Sequence, residues 1–393
     1  MSDLRAMLAD AVGAVTRPTA ALETTMRRIG RRQRRRRAAT ILAAFSLSAV
    51  AMLFLWTGFF GEEASVGTGP EPSGPEPEPR VHPEIVANVD VGGFPVAMTT
   101  GDGSLWVSVE GGAGGSNEVA RVDPLAAEVI STLSVAGSPG TLAFEAGSLW
   151  IGLPGAVERV DPETGQVTAR IEGAGTSVTA SPGAVWAVDS ANSVVRIDPA
   201  TNEVVATVTL DLPESGYIIS TPVATPDALW VMTFLGGDDP AGSHGALFRV
   251  DPSTNAVVAR IDLGIAGAFA VGDEAVWAVD TLTADHTFLT RIDTATNTPA
   301  GQALDVEGQW TPFAIGAGKL WLMGGMEPRI NVAGLDLSSL ELETPVVVAE
   351  LPAYEGSGIF DAAGGAIWIA HHQSFVTKVE LRPKEIVAVG DVR

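Results

Sequence analysis

The chain has 393 residues, a formal net charge of −23, 46% hydrophobic residues and no cysteine. The absence of cysteine excludes a disulfide scaffold, a thiolate metal site, a cysteine nucleophile and a lipid-modified cysteine. The strong acidity argues against nucleic acid as the main partner, because binding to phosphates requires a basic surface.

Positive charge is concentrated in the first 37 residues. They contain ten arginines and three acidic residues. The whole chain has 24 basic and 47 acidic residues, so residues 38–393 contain 14 basic and 44 acidic residues. Apolar residues between Leu4 and Val15 recur at helical spacing, which predicts an amphipathic helix lying on lipid. The arginine cluster at 27–37 indicates attraction to anionic lipid. Nucleic-acid binding by the cluster and contact of the helix with a cytoplasmic regulator are the alternatives.

Residues 38–60 are 23 consecutive residues without a charged side chain. As a helix rising about 1.5 Å per residue, this run is long enough for a hydrocarbon core of about 30 Å. It exceeds the roughly 7–15 apolar residues of a cleavable signal. We therefore predict an uncleaved transmembrane helix, with a cleaved signal and a twin-arginine signal as alternatives. Because positive charge favours the cytoplasmic side, residues 1–37 are predicted to be cytoplasmic and everything after residue 60 extracytoplasmic, in a single-pass protein of the cell membrane.

Residues 61–83 are rich in proline, glycine and glutamate. This composition favours an extended, self-repelling chain, so we predict a disordered linker. The predicted organisation is a cytoplasmic Arg-rich helical segment (1–37), a transmembrane helix (38–60), the linker (61–83) and a repetitive domain over 84–393.

The domain after the linker repeats a short pattern. A tryptophan between hydrophobic residues returns at intervals of 36–47 residues, at Trp106, Trp150, Trp186, Trp230, Trp277, Trp321 and Trp368. Most copies are followed by Arg-x-Asp, usually with proline next, and then by an alternating strand. Repeats of about 40–47 residues that hold four short strands are typical of propeller blades. The sequence therefore predicts an all-β fold, a seven-bladed β-propeller.

The recurrent residues have a structural interpretation. The tryptophan offers a large apolar surface for packing between blades. The aspartate of Arg-x-Asp-Pro can accept backbone hydrogen bonds in a turn, and the proline ends the strand. We expect these positions to stabilise the fold and not to carry catalysis.

The recurring units LWV…RVDP.T..VVA.I resemble those of the YncE-type and streptogramin-lyase-like (Vgb-like) seven-bladed propellers, over about residues 84–393. The resemblance implies a ring without an obligatory cofactor, and we expect no cofactor. The lyases of this group rely on neighbouring His and Glu residues, including a Glu-x-His pair. No Glu-x-His occurs in this chain, which argues against that activity. The docking motif of the quinone-binding propellers is not visible either.

The loops predict which face of the propeller binds a ligand. Turns between the first two and the last two strands of each blade are short, such as 271–275 and 251–255, and we call their side the regular face. The other connections are long, such as 211–222 and 352–360, and we call their side the irregular face. Aromatic and titratable residues on variable loops are typical of a binding surface. The ligand-binding candidates are Phe94, Tyr217, Asp239, His244, His286, Trp310, Tyr354, Glu355, His371 and His372.

Chemistry at these residues is not predicted. Adjacent residues on a strand point to opposite sides, so His371 and His372 do not predict a metal pair. The acidic loop at 237–239 is weak evidence for calcium, and no metal site is assigned. The spacing of serine, aspartate and histidine matches no catalytic triad, so no catalytic residue is assigned.

Three functions are compatible with these patterns. The leading interpretation is a membrane-anchored, non-enzymatic propeller that binds a protein, peptide or envelope glycan outside the cell. The second is an exported lyase or hydrolase that uses histidine and acidic residues of the irregular face. The third is a transmembrane signalling protein that couples binding by the propeller to a cytoplasmic regulator.

The repeat leaves open which outer strand closes the ring. We favour pairing of residues 84–91 with the last blade over an outer strand at 385–392.

Overall fold

A computed structural model describes residues 81–111, 115–189, 192–236, 244–265, 267–283, 285–324, 329–350, 357–361, 366–371 and 374–383. The predicted segment 1–37, the predicted transmembrane helix 38–60 and the linker up to residue 80 lie outside these ranges. Within them, we find no helix with the length and apolar surface that crossing a bilayer demands.

The described residues form β-strands arranged in seven antiparallel sheets, each of which is one blade. The strands before the first blade and in blades 1 to 3 are β1 (Val81–Asp90); β2 (Phe94–Gly101), β3 (Ser104–Glu110), β4 (Glu118–Asp123) and β5 (Glu128–Ser134); β6 (Leu142–Glu145), β7 (Ser148–Leu153), β8 (Ala156–Val160) and β9 (Val167–Glu172); and β10 (Ala174–Ser181), β11 (Ala184–Asp189), β12 (Val194–Asp198) and β13 (Glu203–Val208).

The remaining strands complete blades 4 to 7. They are β14 (Tyr217–Ile218), β15 (Val223–Ala224), β16 (Leu229–Gly236), β17 (His244–Asp251) and β18 (Ala256–Leu263); β19 (Phe269–Val271), β20 (Ala275–Leu282), β21 (His286–Asp293), β22 (Thr298–Pro299) and β23 (Leu304–Glu307); β24 (Trp310–Gly316), β25 (Lys319–Gly324), β26 (Arg329–Asp336) and β27 (Val346–Glu350); and β28 (Ser357–Asp361), β29 (Ala366–His371) and β30 (Phe375–Pro383). The predicted all-β, seven-bladed propeller is confirmed.

The first strand closes the ring. β1 pairs antiparallel with β30, with Val89 opposite Val376, and so becomes the outer strand of blade 7. The predicted pairing of 84–91 with the last blade is therefore confirmed, while residues 385–392 lie outside the described ranges. Because β1 runs in the same direction as the other outer strands, the chain enters the propeller at Val81 on the regular face.

Two blades depart from the simple four-stranded pattern. In blade 4 the inner strand is split, since β14 and β15 both pair with β16. In blade 5 the outer strand is split, since β22 and β23 both pair with β21. Between β22 and β23, Pro299 is followed by Gly301 at φ +81°, a backbone conformation that glycine adopts without steric cost. The Ala300 N–H still donates to the Arg291 carbonyl, after which the chain leaves the edge of the sheet at 301–303 and rejoins it at Leu304.

The core consists of seven hydrophobic clusters, one at each interface between neighbouring blades. Every cluster contains one repeat tryptophan on the second strand of its blade. All seven are at most 4% exposed: Trp106, Trp150, Trp186, Trp230, Trp277, Trp321 and Trp368. Because adjacent residues on a strand point to opposite sheet faces, Trp106 packs toward blade 2 while Leu105 and Val107 pack toward blade 7. The second strand of a blade therefore contributes side chains to two interfaces.

The short turns of the regular face are built by aspartate. In blade 6, Asp336 Oδ1 accepts hydrogen bonds from the Ser338 hydroxyl and from the backbone N–H groups of Ser338 and Ser339. These bonds favour the ionised carboxylate and hold the pKa of Asp336 well below its usual range. Backbone and hydroxyl donors lower the aspartate pKa in the same way at the matching turns of four other blades, at Asp123, Asp161, Asp251 and Asp293.

The arginine of Arg-x-Asp joins neighbouring blades. It lies directly opposite the repeat tryptophan, as Arg249 does opposite Trp230, with its guanidinium 5.3 Å from the ring centroid. Its Nη1 then donates hydrogen bonds to the next blade, from Arg249 to the Thr294 carbonyl and to Asn297 Oδ1. Arg159 and Arg196 make the same two bonds to the turns of their next blades. We call this arrangement the arginine clamp.

Candidate functional site

The irregular face collects the described ligand-binding candidates at strand ends. Phe94, Tyr217, His244, His286 and Trp310 are the first residues of β2, β14, β17, β21 and β24. In antiparallel blades, the first and third strands both begin on the irregular face, so these five lie on that side. His371 ends β29 on the same side. Asp239, Tyr354, Glu355 and His372 lie outside the described residues.

The first group of candidates lies where blade 5 meets blade 6. His286 begins β21, and its Nδ1 is 2.7 Å from Asp305 Oδ1 on the neighbouring β23. The ring of Phe288 stacks with the imidazole at a centroid distance of 6.3 Å. The His286 and Asp305 side chains are about half exposed, so an incoming ligand can reach this histidine–carboxylate pair.

Trp310 belongs to the core between these blades. It is only 7% exposed, and its indole Nε1 donates a hydrogen bond to the Glu307 carbonyl at 2.7 Å. Its backbone N–H donates to Thr287 Oγ1 at 2.8 Å, and the same hydroxyl donates to the Gly308 carbonyl. Most of the ring of this ligand-binding candidate therefore packs inward.

The second group lies in blade 4. The rings of Tyr217 and Phe234 are 5.1 Å apart between centroids and inclined at 43°, in the range of favourable aromatic pairs. Tyr217 is 50% exposed. Asn192 of blade 3 holds this strand, since its Oδ1 accepts a hydrogen bond from the Ile218 N–H and its Nδ2 donates to the Gly216 carbonyl. The tyrosine ring is thus displayed from a positioned backbone.

Phe94 and His244 are displayed separately from these groups. Phe94 is 39% exposed at the start of the first strand of blade 1. His244 is exposed at the start of β17, opposite Gly236. The described face therefore presents aromatic rings and imidazoles at several blades, which suits contact with an extended ligand more than enclosure of a small one.

The chemistry available to the described face is that of contact and hydrogen bonding. Among the described residues, no group of three or more histidine, aspartate or glutamate side chains is arranged to hold a metal ion. His286 with Asp305 could transfer a proton, because the carboxylate orients the imidazole. The sequence placed His286 on this face, but the distant partner Asp305 could not be identified without the pairing of β21 with β23.

The comparisons with known proteins support the architecture. No family model matches the chain, and no curated protein sequence matches it. Among solved structures, a chain of Kuenenia stuttgartiensis hydrazine synthase is similar, with a TM-score of 0.56 and 15% sequence identity, covering 75% of this chain and 97% of that chain. A likeness at this level of identity shows the propeller fold alone.

Proposed function

We propose that the protein is a non-enzymatic binding module, in which the irregular face of a membrane-anchored propeller engages a protein, peptide or envelope glycan outside the cytoplasm. The observation that carries this proposal is the half-exposed Tyr217 ring, paired with Phe234 and held in place by Asn192. A positioned aromatic side chain loses little entropy on binding and contributes a large contact area.

The anchoring is inferred from charge and hydropathy. Ten arginines precede an uncharged run of 23 residues, after which the chain is strongly acidic. The chain enters the propeller on the regular face at Val81, so a tether there would leave the irregular face directed away from the membrane. The resemblance to YncE-type and Vgb-like propellers adds the expectation of an exported protein without a cofactor.

A binding experiment tests the role of Tyr217. Full-length protein would be immobilised and exposed to envelope extract, with Tyr217→Ala beside Leu125→Ala on the regular face, where Leu125 is 86% exposed. The Tyr217 variant should weaken capture of a saturable partner by about tenfold, since aromatic anchors often dominate binding energy. The Leu125 variant should not. Equal capture by both variants would remove Tyr217 from the site.

The absence of cysteine allows a clean test of topology. Single cysteines would be introduced as Leu125→Cys and Ala11→Cys, and intact cells would be treated with a membrane-impermeant maleimide. Label should reach position 125 in intact cells and position 11 only after lysis. The reverse result, or protection of both positions in intact cells, would contradict the proposed orientation.

The His286–Asp305 pair favours a second candidate function, that of an exported lyase or hydrolase of the streptogramin-lyase-like type. A histidine oriented by a carboxylate at 2.7 Å can act as a general base or acid. The test compares turnover by the wild-type protein with turnover by the His286→Gln variant. The substitution should abolish turnover and leave the melting temperature unchanged. Turnover that survives this substitution would leave the pair without a catalytic role.

A further inference from the structure

The arginine clamp formed by Arg159, Arg196 and Arg249 is missing between blades 5 and 6, although an arginine is present at that interface. Arg291 occupies the clamp position, directly opposite Trp277 on the neighbouring strand. The turn of blade 6 that it should bind has Leu340 where the turns of blades 3, 4 and 5 have asparagine. Leu340 has the same positive φ, +58°, as those asparagines, but its side chain offers no acceptor oxygen.

The Arg291 guanidinium therefore has no hydrogen bond or ion pair with another residue in the part of the chain that the structure describes. It also makes no cation–π contact with Trp277 there, whereas Arg121, Arg159, Arg196 and Arg249 each lie 5.0–5.5 Å from a tryptophan ring centroid. Arg291 is half-buried. After the hydrogen bonds from Thr296, the charge of Arg291 also contributes to lowering the pKa of Asp293 on the same strand. The donors of the guanidinium stay available to an incoming acceptor.

A cavity of about 840 Å³ opens beside this arginine. The matching space between blades 4 and 5, where Arg249 is clamped, measures about 90 Å³. The difference has two causes. The outer strand of blade 5 is interrupted at 301–303, which removes part of the wall, and Leu340 does not draw Arg291 across the gap. A volume of this size falls within the range of about 300–1,000 Å³ seen for small-molecule sites.

The lining of the cavity combines three kinds of chemistry. Arg291 supplies a forked donor, and acidic side chains come from the turn before β20 and from β23. Apolar walls come from blades 5 and 6. The residues used here are Arg291, Asp273, Glu274, Ile315, Leu337 and Leu340. In the intact clamps, one arginine nitrogen donates to two oxygens at once, a carbonyl and an amide. A guanidinium binds a carboxylate through two parallel N–H···O bonds, which are stronger than its bonds to neutral acceptors.

We propose that this cavity is a binding site for a short apolar peptide with free termini. The terminal carboxylate pairs with Arg291, the ammonium group faces Asp273 and Glu274, and apolar side chains contact Ile315, Leu337 and Leu340. The site opens beside the regular-face turns of blades 5 and 6, and its lining extends along β23 to Asp305, the partner of His286. It does not include Tyr217, which carries the proposed function.

Calorimetric titration of the full chain in detergent micelles would test the ligand chemistry with three probes at millimolar concentration. The probes are Leu-Leu, its C-terminal amide and its N-acetyl derivative. Leu-Leu should bind, and the amide should bind at least about tenfold more weakly because it lacks the charge that Arg291 recognises. The acetyl derivative should also bind more weakly. Absence of binding by Leu-Leu, or equal binding by Leu-Leu and its amide, would overturn the proposal.

Two variants assign the binding to this cavity. Leu340→Asn restores the missing acceptor at a backbone position that asparagine tolerates, so it should engage Arg291, raise the melting temperature and abolish Leu-Leu binding. Arg291→Gln should lower affinity at least about tenfold with little change in melting temperature. Arg260→Gln, on the outer strand of blade 4, is the matched control and should bind normally. Normal binding by both Leu340→Asn and Arg291→Gln would place the site elsewhere and overturn the proposal.

Discussion

Arg249 Nη1 donates a hydrogen bond to Asn297 Oδ1 at 2.8 Å and thereby ties the third strand of blade 4 to a turn of blade 5. The same nitrogen reaches the Thr294 carbonyl, and the guanidinium lies over Trp230. One side chain thus joins the polar and the apolar parts of an interface between blades. Blades in this ring are held together by directional bonds as well as by packing.

Removal of this clamp should destabilise the propeller. Arg249→Ala leaves two oxygens of blade 5 without a donor, and hydrogen bonds to charged groups contribute about 1.5–3 kcal/mol each. We expect a loss of about 2–3 kcal/mol in the free energy of unfolding, measured by urea denaturation. Arg260→Ala is the control, because its exposed ion pair with Asp262 should contribute less than about 1 kcal/mol. Equal losses for the two variants would show that the clamp adds nothing.

The repeat tryptophans should be the most sensitive positions of the core. Trp186 is fully buried in the cluster between blades 3 and 4, beside Leu229 and Phe248. Trp186→Ala should lower the free energy of unfolding by about 3–5 kcal/mol, through lost burial and the cavity left behind. Leu125→Ala, at an exposed turn, should stay within about 0.5 kcal/mol. A small effect of Trp186→Ala in thermal and urea unfolding would contradict the packing role.

Stability should fall in acid because of the aspartate turns. The folded state lowers the pKa of Asp336 through hydrogen bonds from Ser338 and Ser339, so the stabilisation is present above the unfolded pKa of about 4 and is lost as pH falls toward the folded value. Asp336→Asn keeps an acceptor oxygen without the charge. Its urea midpoint should therefore depend less on pH below 4 than that of the wild type.

Glu128→Gln provides the comparison for the acid experiment. Glu128 is exposed and makes no side-chain hydrogen bond or ion pair to any other residue that the structure describes. The acid dependence of this variant should match that of the wild type. If Asp336→Asn also matched the wild type between pH 7 and pH 3, its turn would not contribute to acid unfolding.

Thr287 should control the position of Trp310. Its buried hydroxyl accepts a hydrogen bond from the Trp310 N–H and donates one to the Gly308 carbonyl. Thr287→Val removes both bonds at nearly constant volume and should cost about 1–3 kcal/mol, because the two backbone groups lose their partner. Thr287→Ser retains the hydroxyl and should recover most of the loss in denaturant unfolding. A negligible loss for Thr287→Val would contradict the role of the hydroxyl, because valine retains the methyl group and lacks only the hydrogen bonds.

Much of the fold could be predicted because the same sequence pattern occurs in seven copies. The tryptophan spacing, the Asp-Pro turns and the alternating strands each indicated a blade, and pairing of β1 with the last blade followed from counting outer strands. The splits in blades 4 and 5 could not be predicted in the same way. They depend on short interruptions of strand pairing, between β14 and β15 and between β22 and β23. The sequence at these interruptions differs from the repeat but matches no other structural pattern.

The site was harder to predict than the fold. Candidate residues such as His286 and Tyr217 could be assigned to one face from loop positions, but their partners Asp305 and Phe234 follow from strand register. The burial of Trp310 also depends on register. Arg291 shows most clearly what the sequence cannot predict. Its Arg-x-Asp motif is intact, and the asparagine acceptor that it lacks is replaced by Leu340, 49 positions later in the chain.

Pairing of β1 with β30 has a consequence for biosynthesis. Among the described strands, β1 is synthesised first and its partner β30 last, so the ring cannot close until β30 has been translated. Blades 1 to 6 can assemble in order as they emerge, since each is built from adjacent sequence. Blade 7 alone must recruit a strand from almost 300 positions earlier, with a large loss of chain entropy. A truncated product that stops before Phe375 would leave β1 without its partner and expose a hydrophobic sheet edge, which quality-control proteases could recognise.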